Sequence, residues 1–139
     1  MSTTPPTVVL VDPTSPDGQT ALALVRDDDQ HVIVVVLMSG RASNALHEFA
    51  HHEDTSVSNA AWIYLDQVAQ RLERPGRIVG TVAAAGPDPA YELAMVAQEN
   101  DAERVLLPSS LLRLDRHAPR RLAQLVPVVI EAAPALTTV

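Results

Sequence analysis

Five short apolar runs recur along the sequence, and longer stretches of mixed polarity separate them. The runs are rich in Val, Leu and Ile and are too short for buried helices, so they are predicted to form buried β-strands. The run after His31 is apolar at consecutive positions, which is typical of a central strand covered on both faces. The five predicted strands comprise residues 7–12, 31–38, 77–83, 104–109 and 127–131.

The stretches between the runs carry helix signals. Residues 15–17, Ser-Pro-Asp, supply an N-cap, a proline suited to the first helical position and an acid in the first turn, so a helix is predicted over 15–25. The clearest amphipathic helix starts at Ser58, and its core-facing residues, Trp62 among them, recur at three- and four-residue spacing. Two further helices are predicted, one opening at Asp88 and one over residues 119–125.

Strands and helices therefore alternate along the chain. This order predicts an α/β fold in which a five-stranded parallel sheet carries helices on both faces. The 139 residues, 47% of them hydrophobic, suffice for one such domain, which is predicted over residues 7–131. Residues 1–6 and 132–139 are predicted to be flexible tails, and residues 39–57 form a long, histidine-rich segment before the second helix.

The composition excludes several classes of function. The chain has no Cys, which removes disulfides and thiolate metal sites, and no Lys, which removes Schiff-base chemistry and the Walker-A loop. Its net charge of −7 disfavours nonspecific binding to nucleic acid. No apolar run reaches the roughly 18 residues of a membrane span, and the first residues lack the features of a signal peptide, so we expect no membrane contact and a cytoplasmic location.

Several local signatures follow one another in a characteristic order. The first predicted strand ends at Asp12, and the helix after it contains residues 21–22, Ala-Leu. Residues 86–90, Gly-Pro-Asp-Pro-Ala, precede the third helix, and residues 117–119, His-Ala-Pro, are followed by residues 126–129, Val-Pro-Val-Val. In these features the chain resembles the universal stress protein family over nearly its whole length. The resemblance implies an adenine nucleotide alpha hydrolase-like fold with strand order 3-2-1-4-5.

The turn after the fourth predicted strand departs from the family pattern. Nucleotide-binding members have a glycine-rich loop there, whose backbone amides hold phosphates. This chain has Leu-Pro-Ser-Ser-Leu-Leu at residues 107–112, and no glycine follows Gly86. Proline and leucine offer neither the space nor the free N–H groups that a pyrophosphate needs. The sequence therefore predicts a degenerate family member that lacks the ATP-binding loop, binds no ATP in the family manner and needs no cofactor.

A nucleotide- or small-molecule-sensing module is one alternative. Ligands of open parallel sheets bind beyond the carboxyl ends of the strands, where the strand order reverses. The resemblance implies that an adenine nucleotide would lie in this crevice, with Arg113 and Arg116 as anion contacts. Under the competing interpretation, the acid and the serines there only cap loop and helix ends. The residues that the resemblance places around the crevice are Asp12, Pro13, Met38, Ser109 and Ser110.

A zinc-dependent hydrolase is the other alternative. His47, Glu48 and His51 match the H-E-x-x-H pattern, in which two imidazoles one helical turn apart bind zinc and the glutamate activates water. The pattern lies in the histidine-rich segment after a central strand, without a third histidine at the metzincin spacing. The competing interpretation is therefore a surface helix or mobile loop without metal.

The leading interpretation is a non-enzymatic domain that acts through association in a stress response or in regulation. In the family, two subunits commonly meet through the last strand. Val128, Val129 and Ile130 would form an exposed apolar edge at that strand unless a second chain covered it. The sequence therefore predicts a homodimer that pairs through these residues.

Overall fold

Five parallel strands form a single sheet in a computed structural model that describes residues 5–13, 17–38, 56–85 and 88–134. The strands are β1 (Thr7–Val11), β2 (His31–Leu37), β3 (Ile78–Ala84), β4 (Arg104–Leu107) and β5 (Val129–Ala132). Their order in the sheet is β3-β2-β1-β4-β5. The predicted fold class and strand order are both confirmed.

Helices cover both faces of the sheet. One face carries a short 3₁₀ helix (Thr20–Leu24) and α1 (Val57–Leu72), and the other carries α2 (Pro89–Glu99), α3 (Ser109–Leu114) and α4 (Ala118–Leu125). Ser56 is the N-cap of α1, and its hydroxyl accepts a hydrogen bond from the Asn59 N–H at 3.2 Å. Within the described residues, no helix combines the length and the apolar composition of a membrane span.

The central strand β1 pairs on both of its sides. Thr7 lies opposite Val32 of β2 and also opposite Arg104 of β4. All five residues of β1 and five consecutive residues of β2 are buried, as expected for strands covered on both faces. Alternate residues of each strand point to opposite faces and join two apolar clusters, one under each helical layer.

Fully buried leucines anchor the two helical layers. Leu93 of α2 and Leu122 of α4 pack on one face of the sheet, and Leu65 of α1 packs on the other. Burying a leucine side chain contributes about 1.5–3 kcal/mol relative to leaving it exposed. These contacts hold the helices against the sheet and fix the positions of the loops at its two ends.

The two edge strands differ in length and charge. β3 has seven residues without a charge or a proline, and its first residue, Ile78, is 65% exposed. β5 has only four residues, of which Glu131 is charged and Val129 is 59% exposed. Two apolar side chains thus stand at the outer strands of the sheet, and only one of those strands carries a charge.

The predicted first helix is wrong in type and extent. Among the described residues of that stretch, 17–19 form a turn and only Thr20–Leu24 is helical, as a 3₁₀ helix. The Asp17 carbonyl accepts hydrogen bonds from both the N–H (3.4 Å) and the hydroxyl (2.9 Å) of Thr20. This turn holds Asp17 outside the helix that its sequence context predicted.

The predicted end of β4 is also wrong. The strand stops at Leu107 instead of reaching Ser109, because Pro108 has no N–H to donate and precedes the first residue of α3. The ends of the other four strands differ from the prediction by one or two residues.

The prediction that Trp62 belongs to the core is wrong. Its side chain is 51% exposed. The buried stripe of α1 includes Ala61, Leu65, Val68 and Leu72. Trp62 directly follows Ala61 in sequence, so its side chain lies beside this stripe and not within it. Its aromatic ring therefore remains at the surface.

Candidate functional site

The strand order reverses between β1 and β4, so the crevice of this fold lies beyond the carboxyl ends of these two strands. Three elements meet there: the turn after β1, the 3₁₀ helix, and the turn between β4 and α3. Of the site residues predicted from sequence, Asp12 and Pro13 follow β1 and Met38 follows β2. Ser109 and Ser110 are the first two residues of α3.

Three side chains fill the space between these elements. The Ser109 hydroxyl donates to Asp17 Oδ2 at 3.0 Å and lies 3.2 Å from the Thr20 hydroxyl. The Ser109 backbone N–H donates to Thr20 Oγ1 at 2.9 Å. We name Asp17, Thr20 and Ser109 the carboxyl-end hydroxyl cluster. Its hydrogen bonds connect Asp17 and the 3₁₀ helix to the start of α3. The Ser109 N–H has Thr20 as its acceptor.

The predicted site residues differ in how accessible they are. Ser109 is 2% exposed and Ser110 is 1% exposed, whereas Asp12, Pro13 and Met38 are half-buried. The Ser110 hydroxyl is buried and makes no hydrogen bond to any described residue. A ligand in the crevice would therefore meet Asp12, Pro13 and Met38 before it met either serine.

The backbone near the crevice is also paired. The Asp12 N–H donates to the Gly18 carbonyl at 2.9 Å, which closes the turn after β1. The Met38 N–H donates to the Ala84 carbonyl at 2.7 Å, so Met38 extends the pairing of β2 with β3. Among the predicted anion contacts, Arg116 is exposed and the side chain of Arg113 lies outside the described residues.

Tyr64 is a polar residue near the crevice that the sequence did not indicate. Its hydroxyl accepts a hydrogen bond from Gln19 Nε2 at 3.3 Å. Burial raises the pKa of Tyr64; the Gln19 hydrogen bond opposes this rise, and the negative charge of Asp12 adds to it. Tyr64 therefore keeps its proton at neutral pH and presents a neutral hydroxyl.

No metal centre is found in the part of the chain that the structure describes. Within residues 5–13, 17–38, 56–85 and 88–134, no three His, Asp or Glu side chains are grouped so that they could hold a metal ion. The H-E-x-x-H residues His47, Glu48 and His51 lie outside the described residues.

A second polar cluster lies at the amino end of the same strand pair. Asp29, in the loop before β2, accepts hydrogen bonds from the Thr7 hydroxyl at 3.1 Å and from Arg104 Nη1 at 2.7 and 3.0 Å. Arg104 Nη2 donates to Glu131 Oε2 at 2.9 Å, and Glu131 Oε1 accepts from Arg26 Nη2 at 2.8 Å. We name these five residues the amino-end ion network. It joins β1, β4 and β5 to the loop before β2.

The charges of this network are stabilised by one another. Burial alone raises the pKa of Asp29, but hydrogen bonds from the Arg26 backbone N–H, Arg104 and Thr7 outweigh it and hold this pKa below its ordinary value. Burial likewise lowers the pKa of Arg104, and the Glu131 and Asp29 carboxylates more than reverse that effect. Both groups are therefore charged at neutral pH, which suits a structural clamp better than an acid or base in catalysis.

Sequence reasoning missed both clusters, although signals for each were present. Arg104 and Glu131 are charged residues within otherwise apolar strand runs, and such residues need a partner when their strand is covered. Asp17 stands before a glycine, and this arrangement favours a turn as much as a helix start. No local pattern connects Asp17 with Ser109, because their contact depends on the sheet order.

No protein-family model and no curated protein matches the chain. Among solved structures, hypothetical protein MJ0577 is similar with 14% identity and a TM-score of 0.68, over 96% of this chain and 97% of that one. Hypothetical protein PH0823 is similar with 17% identity and a TM-score of 0.67, over 96% and 98% of the two chains.

A third solved structure carries a family name. A universal stress protein in complex with cAMP is similar with 14% identity and a TM-score of 0.50, over 95% of this chain and 98% of that one. At these identities the similarity establishes the fold. The chain thus has an α/β fold that is also found in a universal stress protein and in the two hypothetical proteins.

Proposed function

We propose that this protein is a non-enzymatic, universal-stress-protein-like domain that serves as a cytoplasmic stress-response or regulatory module. The order of its local signatures and its fold similarity to a universal stress protein support this assignment. We also propose that it binds no ATP in the manner of a glycine-rich loop. The observation that carries this second statement is the carboxyl-end hydroxyl cluster.

The cluster opposes phosphate binding in two ways. A phosphate at such a turn needs backbone N–H groups that are free to donate, and the Ser109 N–H is already donated to Thr20 at 2.9 Å. The carboxylate of Asp17 lies 3.0 Å from the Ser109 hydroxyl, so a negative charge stands beside the turn where a phosphate would have to lie. Binding ATP there would require breaking these hydrogen bonds and overcoming the repulsion.

Nuclear magnetic resonance of uniformly ¹⁵N-labelled protein tests this proposal. ATP is titrated while the amide signals of Ser109, Ser110 and Gly18 are followed, with the amide of Ala97 in the last turn of α2 as an internal reference. We expect no saturable change at the first three amides. Saturable shifts there at micromolar ATP would contradict the proposal, because they would place the triphosphate at the turn after β4.

A nucleotide-sensing module is the second candidate function, because one protein of this fold is described in complex with cAMP. Titration with cAMP in the same experiment separates the two candidates, since this ligand has one phosphate and needs less of the turn. A saturable shift of the Asp12 and Met38 amides would favour the sensing module. Unchanged spectra with both nucleotides would favour the domain that acts by association alone.

We further propose that the partner is a second copy of the chain and that nucleic acid is not a partner. The exposed apolar side chain of Val129 and the unpaired outer edge of β5 in the described structure support pairing of two sheets at this strand. Val128 and Ile130 are partly buried and pack against the core cluster, so they would hold β5 in place rather than contact the second subunit directly. A continuous sheet through both subunits would cover Val129.

Sedimentation of two matched variants tests the dimer. Val129→Lys places a charge on the β5 edge, and Ile78→Lys places the same charge on the first residue of β3 at the opposite edge, where exposure is similar. We expect Val129→Lys to shift the protein to monomer at micromolar concentration and Ile78→Lys to leave the dimer intact. A monomeric wild type, or equal effects of the two variants, would contradict pairing through β5.

A further inference from the structure

A cavity of about 340 Å³ lies between the 3₁₀ helix and the carboxyl-terminal half of α1. One of its sides is formed by the 3₁₀ helix, which has only five residues. Its volume is at the lower end of the range typical for small-molecule sites. Its lining combines apolar side chains from the 3₁₀ helix and the residue after it with three arginines from the end of α1 and the loop that follows.

The three arginines concentrate positive charge in a protein whose net charge is −7. Arg74 pairs with the exposed carboxylate of Asp27. Neither Arg71 nor Arg77 forms an ion pair with any carboxylate in the described part of the chain: Arg71 donates to the side-chain oxygen of Gln19, and Arg77 donates only to backbone carbonyls. Two guanidinium charges at this cavity therefore lack a neutralising partner among the described residues.

Unused hydrogen-bond donors accompany these charges. A guanidinium group has five N–H donors, of which Arg77 uses three, on the carbonyls of Asp29, Leu72 and Arg26 at 2.8, 2.7 and 2.9 Å. The contact with Leu72 caps the end of α1, the other two join Arg77 to the loop before β2, and together they explain the position of Arg77. They do not explain Arg71, which reaches across the cavity to Gln19 and uses one donor there. Arg71 thus has donors left for a ligand, and a carboxylate or phosphate is the group that a guanidinium binds best.

The opposite side of the cavity carries three apolar residues beside the polar Gln19 and Thr20. Leu22, Ala23 and Val25 line it, and Ala23 is exposed to solvent in the structure. An inorganic anion would contact only the arginines, and Leu22, Ala23 and Val25 would stay exposed to water. An anion with a short hydrocarbon chain would contact the arginines and these apolar residues together. Each methylene that it buries there would tighten binding about three- to fourfold.

We propose that this cavity binds a small organic anion, whose carboxylate or phosphate contacts Arg71 and whose apolar body lies on Leu22, Ala23 and Val25. Arg77 supplies long-range attraction and a second set of donors. This site is separate in its chemistry from the crevice at the carboxyl ends of the strands, where Asp17 presents a negative charge. It would make the protein responsive to a metabolite without a glycine-rich loop.

The test uses hexanoate, hexyl phosphate, hexylammonium and inorganic phosphate as probes, with ¹⁵N-labelled protein and the amides of Leu22, Ala23 and Arg71 as reporters. We expect saturable shifts with hexanoate or hexyl phosphate at roughly millimolar concentration. Inorganic phosphate should bind at least tenfold more weakly, and hexylammonium should not bind. The comparison of hexanoate with hexyl phosphate identifies which anionic group the site prefers.

Three variants show whether the named residues form the site. Arg71→Gln removes one charge, and Ala23→Phe fills the cavity without changing its charge; each should weaken binding about tenfold or more. Arg120→Gln is the matched control, because it removes an exposed arginine from α4 on the other face of the sheet. Binding that survives both cavity variants, equal binding of hexylammonium, or no saturable shift with either organic anion would overturn the proposal.

Discussion

The two ends of the β1–β4 pair are closed by different chemistry. At the amino end, five residues form an ion network whose main charged side chains are 15% exposed for Arg104, 11% for Asp29 and 26% for Glu131. At the carboxyl end, two hydroxyls and one carboxylate form a smaller cluster in which Ser109 is 2% exposed. Long charged side chains span three strands at one end, and short ones close a tight turn at the other.

The difference shows how one scaffold separates stability from binding. A charged pair removed from water is costly to break, because the remaining partner stays buried without compensation. The hydroxyl cluster costs less to break, since a hydrogen bond between neutral groups contributes about 1 kcal/mol and the one from Ser109 to the Asp17 carboxylate about 2 kcal/mol. The amino end is therefore the stronger clamp, and the carboxyl end, where ligands of this fold class bind, is closed by contacts that need less energy to open.

Replacing Asp29 with Ala should give the largest loss of stability. Asp29 accepts hydrogen bonds from Thr7, Arg104 and the Arg26 backbone, so its removal leaves these donors without their acceptor. We expect the free energy of unfolding to fall by about 3 kcal/mol in urea titrations at neutral pH. The adjacent Asp28→Ala, at an exposed position, should change it by less than about 0.5 kcal/mol. Equal effects of the two variants would show that the network does not act as a clamp.

Of the two neighbouring serines at the carboxyl end, only Ser109 should destabilise the protein when it is replaced. Ser109→Ala removes the donor to Asp17 and should cost about 2 kcal/mol of unfolding free energy. Ser110→Ala removes a buried hydroxyl that makes no hydrogen bond to any described residue, so it should be neutral or stabilise by up to about 1 kcal/mol. Thermal and urea unfolding of both variants measure this contrast, and a larger loss for Ser110→Ala would refute it.

Acid should reduce the difference between wild type and Asp29→Ala. The pKa of Asp29 lies below its ordinary value in the folded protein, so the unfolded chain binds this proton more readily. The stability that Asp29 supplies is complete above the unfolded value of roughly 3.9 and is lost as the pH falls through the lower folded value. Urea titrations from neutral pH downward should show the two stability curves converging in acid. Curves of wild type and Asp29→Ala that stay equally far apart would contradict this linkage.

The exposed ion pair between Arg74 and Asp27 should show the smallest effect. The side chains are 55% and 88% exposed, so water and salt screen the attraction. We expect Asp27→Asn to change the free energy of unfolding by less than about 0.5 kcal/mol at physiological salt. An Arg–Asp ion pair should thus contribute much stability in the amino-end ion network and almost none at the surface. If Asp27→Asn lowered the free energy of unfolding by more than about 1 kcal/mol, this contrast would be wrong.

The sheet was predictable because its signals are local. Each buried strand is a short apolar run, and the alternation with helical periodicity restricts the connections to right-handed crossovers in a parallel sheet. The strand ends were less predictable, since Pro108 ended β4 earlier than its hydrophobicity suggested. The exposure of Trp62 was not predictable from spacing, because a residue beside the buried stripe of a helix is covered only where a neighbouring element reaches it.

The candidate site was predictable only in part. The end of β1 and the turn after β4 follow from the strand order, and so do the positions of Asp12 and Ser109 near one crevice. Ser109 is buried and donates a hydrogen bond to Asp17, which is far away in sequence. Asp17 lies in a turn and not in the helix that was predicted there. Sequence periodicity describes elements one at a time, whereas this cluster arises from three of them together.

The register of β1 has a consequence for the order in which the chain assembles. Thr7 meets Val32 early in the sequence and Arg104 only near its end, so the second pairing closes a loop roughly two doublings longer and loses correspondingly more chain entropy. During synthesis, β1, β2 and β3 leave the ribosome before β4 does. The middle strand β1 therefore keeps one edge without a strand partner until β4 has been synthesised.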